Sequence, residues 1–181
     1  MTTEELEYLR YPIGKFVCPE TISESHLIQW IEILEGFPEK LKELIKDLTD
    51  DQLDTPYRDG GWTIRQVVHH VSDSHHHSYI RFKWALTENK PKSKIYYEKL
   101  WAELDDARSG PVGMSLDHLT AVHKKLVYLL RSLSISEMSK SFIHPDYKTE
   151  ISLKVNTGIY AWHSQHHYAH IKNIMIRKGW I

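Results

Sequence analysis

The chain has 181 residues, 41% hydrophobic and 26% charged, a composition that supports a buried core and excludes a disordered chain; the length suits one domain over residues 1–181. With 23 Lys and Arg against 24 Asp and Glu, the formal net charge of -1 removes any bulk attraction to nucleic acid or to an anionic membrane surface. The lone Cys18 rules out an internal disulfide and a thiolate zinc site, no apolar run approaches the ~20 residues of a membrane span, and no export signal is legible, so a cytoplasmic protein is expected.

Residues 1–20 contain Pro12, Gly14 and Pro19 without sustained periodicity, the pattern of an extended arm. Ser23 or Ser25 can cap a first helix through HLIQWIEILEGFPEKLKELIKDL, where Leu27, Trp30, Ile31, Leu34, Leu41 and Leu44 recur at helical spacing and Gly36 and Pro38 predict a bend. DTPYRDGGW is dense in turn formers, and Thr63 is the expected cap of a second helix from Ile64 to about Thr87. The long loop that follows has room for one short helix and carries Tyr96, Tyr97 and Trp101, side chains suited to the mouth of a pocket. Ser115 is the expected cap of a third helix through LDHLTAVHKKLVYLLRSL. SFIHPDYKTEISLKV reads as a turn or small hairpin, and a fourth helix is expected from about Thr157 to Lys178, stopped by Gly179. Four long helices without strand-helix alternation predict an all-α four-helix bundle with a long loop between helices two and three.

Of the 13 histidines, nine fall in two windows, His69, His70, His75, His76 and His77 on the second helix and His163, His166, His167 and His170 on the fourth. Residues four apart share a helix face, so His163 with His167 and His166 with His170 each have the spacing of a metal-binding pair. At ~100° per residue from Ile159, the apolar face of the fourth helix centres near ~80°, with His167 at ~80°, His163 at ~40°, His170 at ~20° and His166 at ~340°. The inward pair is therefore His163 and His167, with His166 and His170 farther from the core. A third ligand should come from the facing second helix, where Thr63, His70, Ser74, His77 and Arg81 form one polar stripe; periodicity does not separate His70 from His77. His75 falls in the apolar centre of that helix. The plainer alternative is a bundle whose core-facing histidines are hydrogen-bonded structural residues. Zincin, phosphate-loop and nucleophile-elbow motifs are absent from the sequence.

Residues 53–83, LDTPYRDGGWTIRQVVHHVSDSHHHSYIRFK, and residues 160–171, YAWHSQHHYAHI, closely resemble the YfiT family of metal-dependent hydrolases in the DinB-like superfamily. The early YPIG, HPD at 144–146 and the terminal GW extend the resemblance over nearly the whole chain. It implies a four-helix bundle that binds zinc or nickel through one histidine of the second helix and two of an HxxxH on the last. Position by position these are His70, His163 and His167. It further implies a cytoplasmic homodimer acting on a small molecule. Similar bundles in the wider superfamily act as thiol transferases or isomerases that use bacillithiol, mycothiol or glutathione.

Three imidazoles leave coordination positions open to water or substrate, the arrangement of catalytic zinc. A metal-dependent hydrolase is the first expectation, a metal-dependent thiol S-transferase the second, and a non-catalytic metal-binding bundle the third. Asp73 is a candidate acceptor for an imidazole N–H and Arg81 a candidate contact for an anionic substrate group.

Overall fold

The computed structural model describes residues 2–145 and 149–181. In chain order its elements are α1 (Thr3–Arg10), α2 (Glu24–Ile45), α3 (Asp50–Leu53), α4 (Ile64–Thr87), α5 (Glu98–Trp101), α6 (Asp105–Ser109), α7 (Val112–Ser132), α8 (Ile135–Met138), β1 (Ser141–Ile143), β2 (Glu150–Ser152) and α9 (Leu153–Arg177). Side-chain oxygens set three of the four long helix starts. Ser23, Thr63 and Ser152 accept from the main-chain N–H groups of His26, Gln66 and Val155, satisfying donors that have no partner inside the helix.

Several boundaries differ from expectation. The supposed arm contains α1, a short helix closed by a reciprocal Thr2–Glu5 cap and burying none of its residues, so no periodic apolar stripe betrays it. Helix α7 begins at Val112, behind Pro111, and Ser115 instead turns its hydroxyl to His69 Nδ1, 2.7 Å away. Helix α9 starts four residues before Thr157, at Leu153, because Ser152 supplies its cap. Helix α2 runs unbroken through Gly36 and Pro38. The expected hairpin is present as β1 and β2, paired antiparallel with Phe142 opposite Ile151. The tip of that hairpin, including Asp146 of the HPD sequence, lies outside the described residues.

The long helices α2, α4, α7 and α9 form the four-helix bundle, with α4 and α2 each packed against both α7 and α9. Paired contacts fix the directions. Along α4 and α9, Ser78 meets Asn156, Ser74 meets Tyr160 and His70 meets His163, so these helices are antiparallel. Along α4 and α7, His69 meets Ser115, Ser72 meets His118 and His75 meets His123, so these neighbours are parallel. Parallel neighbours cannot be joined by a tight turn. The chain must travel back the length of α4, roughly 36 Å for its 24 residues, and this is what residues 88–111 do. On the way they lay Tyr96 beside His70, Ala102 O against Gln66 Nε2 and Gly110 O against Arg65 Nη1.

The core is divided. One apolar cluster joins Leu27, Leu34, Phe82, Leu126, Phe142 and Ala161; the other joins Leu41, Val67, Val71, Leu119, Ile171 and Met175. Between them lies a buried polar layer that includes Ser74, His75 and Ser78 of α4, His123 of α7 and Ser164 and His167 of α9. Polar groups taken out of water need partners, and most of these side chains find theirs across the bundle, Ser74 at Tyr160, Ser78 at Asn156 and His75 at both His123 and His163. At one end of this layer α2 and α9 approach closely, since a Cβ on Gly158 would stand 2.8 Å from the Trp30 ring. No helix among the described residues is long and apolar enough to cross a membrane.

Candidate metal centre

His70 reaches the centre from α4, and His163 and His167 reach it from successive turns of α9. His70 Nε2 lies 3.3 Å from His163 Nε2, and His167 Nε2 lies 3.1 Å from the same atom. All three rings offer nitrogens within 4.8 Å of one another. Nitrogen ligands about 2.0–2.1 Å from a tetrahedral ion stand roughly 3.3–3.4 Å apart. The two observed separations match that edge length and the third pair lies within 4.8 Å, so the donor set can close on a divalent ion.

Burial also suits the rings to be ligands, which must be neutral. Removal from water holds the His70 imidazole down at about 3, helped by the neighbouring His166 and His170. Burial holds His163 and His167 well below the ordinary histidine range, helped by the neighbouring His70 for His163 and by His163 for His167. Three neutral nitrogens therefore converge at neutral pH. Trp62 packs on the His70 ring at 4.6 Å between centroids and Tyr96 stacks on it from the long loop, with its hydroxyl 3.3 Å from His70 Nδ1.

His77, the sequence alternative to His70, is two turns along α4 and takes no part. It stacks on Tyr96 at 4.5 Å, and burial, with Arg81 nearby, lowers it to about 4. Asp73 makes no hydrogen bond to an imidazole among the described residues; burial raises its carboxyl to about 6. The imidazole N–H groups are served by other rings. His75 Nε2 lies 3.1 Å from His163 Nδ1 and His75 Nδ1 lies 2.8 Å from His123 Nε2, while His123 Nδ1 lies 2.5 Å from the Leu34 carbonyl. On the other side, His170 Nδ1 lies 3.4 Å from His167 Nδ1 and His170 Nε2 lies 3.0 Å from the Arg10 carbonyl.

By helical phase His166 and His170 lie farther from the core, yet both are buried. The reason is the N-terminal segment, which a helical wheel cannot include. It crosses the outer side of α9, where Tyr11 sits over His166, Gly14 O accepts from Trp162 Nε1 and Arg10 O meets His170. His166, His167 and His170 form a second group whose nitrogens lie within 4.8 Å of one another, sharing His167 with the first. Sequence reasoning missed His123 altogether, and the one available signal for its layer was His75, a histidine in the apolar phase of its helix.

The three converging histidines open into a cavity of about 710 Å³. Arg10, Arg58 and Arg81 line it with one carboxylate among the described residues, that of Glu98. Arg81 is buried and makes no ion pair among the described residues; its Nη1 donates to the Tyr160 hydroxyl. A neutral nitrogen tripod facing a cationic cavity can hold a dication and receive an anionic or carbonyl-bearing ligand beside it.

The family model of the DinB superfamily matches residues 33–171. The chain is 49% identical over 172 residues to the Bacillus subtilis protein named "Putative metal-dependent hydrolase YfiT", covering 95% of this chain and 97% of that one. It is 52% identical to a protein of Bacillus cereus strain B4264 that also bears the name "Putative metal-dependent hydrolase", over 95% and 98% of the two chains. The solved structure of Bacillus subtilis YfiT, described as "a probable metal-dependent hydrolase with an unusual four-helix bundle topology", superposes with a TM-score of 0.94 at 48% identity, covering 96% of this chain and 99% of that one. On sequence and fold together, the chain belongs to the DinB superfamily and, within it, to the family of YfiT.

Proposed function

We propose that the protein is a metal-dependent hydrolase in which His70, His163 and His167 hold one divalent ion per chain, zinc or nickel. The observation that carries this is the approach of three Nε2 atoms, those of the buried His70 and His167 and of the half-buried His163, at 3.3 and 3.1 Å on the wall of a cavity. Imidazole nitrogens suit both metals, and three protein ligands leave a position for water or substrate. When bound, such an ion lowers the pKa of water and polarises a carbonyl.

The remaining work falls to the chain. Glu98, the one carboxylate on the cavity wall among the described residues, is the group available there to accept a proton as general base. Arg81, buried and without a carboxylate partner among the described residues, orients an anionic group of the substrate. Trp62 and Tyr96 flank His70 and keep water from its ring. A second reading, S-transfer from a low-molecular-weight thiol of the bacillithiol type, is favoured by the three arginines on the cavity wall, which suit an anionic cosubstrate; coordinated sulfur is held as thiolate. The chain is further read as one domain of a cytoplasmic homodimer, supported by the family resemblance and by an exposed Cys18 with no disulfide.

The test is a screen of zinc-loaded and nickel-loaded protein against esters and amides without thiol, then against electrophiles with each thiol. Hydrolysis without thiol that disappears in His163→Ala supports the first reading. Conjugation strictly dependent on thiol replaces it with the second, and inactivity in both with metal bound leaves a non-catalytic metal-binding bundle.

A further inference from the structure

A neutral imidazole has one N–H and one lone pair, and its partners decide which nitrogen carries which. A carbonyl oxygen can only accept. His123 must therefore donate from Nδ1 to Leu34 O, which leaves its Nε2 as an acceptor. His75 must then donate from Nδ1 to His123 Nε2, leaving its own Nε2 as an acceptor. By the same rule His163 donates from Nδ1 to His75 Nε2, and its Nε2 lone pair faces the centre.

A second chain reaches the same result from the other side. His170 donates from Nε2 to Arg10 O, so its Nδ1 accepts from His167 Nδ1 and the His167 Nε2 lone pair also faces the centre. Two lone pairs 3.1 Å apart repel unless a cation lies between them.

Both anchors are carbonyls that the fold has deprived of a helical partner. Leu34 O would accept from the N–H of residue 38, but that residue is Pro38, which has none. Arg10 ends α1, where the last carbonyls have no intrahelical donor.

We propose that the chains Leu34 O–His123–His75–His163 and Arg10 O–His170–His167 are two tautomer clamps, each holding a metal-ligand Nε2 unprotonated and aimed at the ion. His75, His123 and His170 are then positioning residues for the metal. The proposal rests on the metal-site reading above. Losing a hydrogen-bond partner of a ligating imidazole lowers metal affinity by about ten- to a hundred-fold.

The substitutions separate this role from packing. Phenylalanine keeps a flat ring and removes both hydrogen bonds, whereas glutamine loses the ring but offers an NH2 group to donate and a carbonyl oxygen to accept. Zinc affinity is measured by chelator competition on the folded, full-length protein. His123→Phe and His170→Phe are expected to weaken it by about ten-fold or more, with His123→Gln and His170→Gln recovering most of the loss. Affinity unchanged in the Phe variants, or Gln no better than Phe, would overturn the proposal.

An independent readout needs no variant. Two-bond ¹H–¹⁵N correlation spectra of the unsubstituted zinc-loaded protein should show His75 and His123 protonated at Nδ1 and His170 at Nε2. The opposite tautomer at any of the three would overturn its clamp. Failure of the unsubstituted protein to bind zinc would overturn the metal reading itself, while zinc binding with the wrong tautomers would overturn the clamps alone.

Discussion

Acidification should unfold the metal-free protein through its buried histidine layer. His123 sits in that layer against His75 of α4, the Leu34 carbonyl and the Phe37 ring of α2, and burial lowers it to about 4. The unfolded chain holds the same imidazole near ~6.5. Because the folded value is the lower one, the folded state favours the neutral ring and the unfolded state binds more protons below pH ~6.5. The contribution is therefore complete above about pH 6.5 and is lost as pH falls toward 4, amounting to about 2 kcal/mol lost by pH 5 and about 3 kcal/mol by pH 4 for this one residue. His170, also held at about 4 by burial, adds a loss of the same sign over the same window. Since a domain has only about 5–15 kcal/mol in hand, the two together are enough to threaten the fold. Denaturant titrations at pH 7.5, 6, 5 and 4.5 measure this directly. His123→Phe should flatten the dependence by about 2 kcal/mol at pH 5. A stability that stays level from pH 7.5 to 4.5, or a slope unchanged in His123→Phe, would mean that the buried histidines do not set the acid limit.

Other perturbations address the site and the frame around it. His70→Ala, His163→Ala and His167→Ala should each strip most of the bound ion, read by elemental analysis of the purified protein. Glu98→Gln should keep the ion while lowering kcat by about 10²–10⁴-fold, the range for loss of a general base; an undiminished kcat would remove Glu98 from the chemistry. Gly158→Ala should destabilise by about 1–3 kcal/mol in denaturant titration, because the new methyl meets the Trp30 ring. Reductant should leave the Tm unchanged, since Cys18 is free, and a large shift would reveal a bridge between chains.

Helical periodicity and cap residues carry the bundle plainly in the sequence. Leu27, Ile31, Leu34 and Leu41 do line one face of α2, and Thr63 does begin α4. Periodicity also turned His163 and His167 toward the same side as the apolar residues, and the structure brings them together with His70. What a single-helix wheel cannot express is contact between segments distant in sequence. His170 reads as a flank residue until Arg10, 160 positions away, is laid over it. His75 reads as an anomaly until His123 arrives from α7. Pro38 reads as a bend in α2, whereas its missing N–H leaves the Leu34 carbonyl open to His123. The long loop was visible as a gap between two helices, but its cause was not, because the parallel packing of α4 and α7 is a property of the assembled bundle.

Whether His70, His163 and His167 are the ligands of one ion can be read from a crystal of zinc-loaded protein by anomalous scattering at the zinc absorption edge. One anomalous peak per chain is expected, in contact with the Nε2 atoms of those three residues. A peak among His166, His167 and His170 instead, or no peak within the bundle, would show that these three histidines are not the ligands.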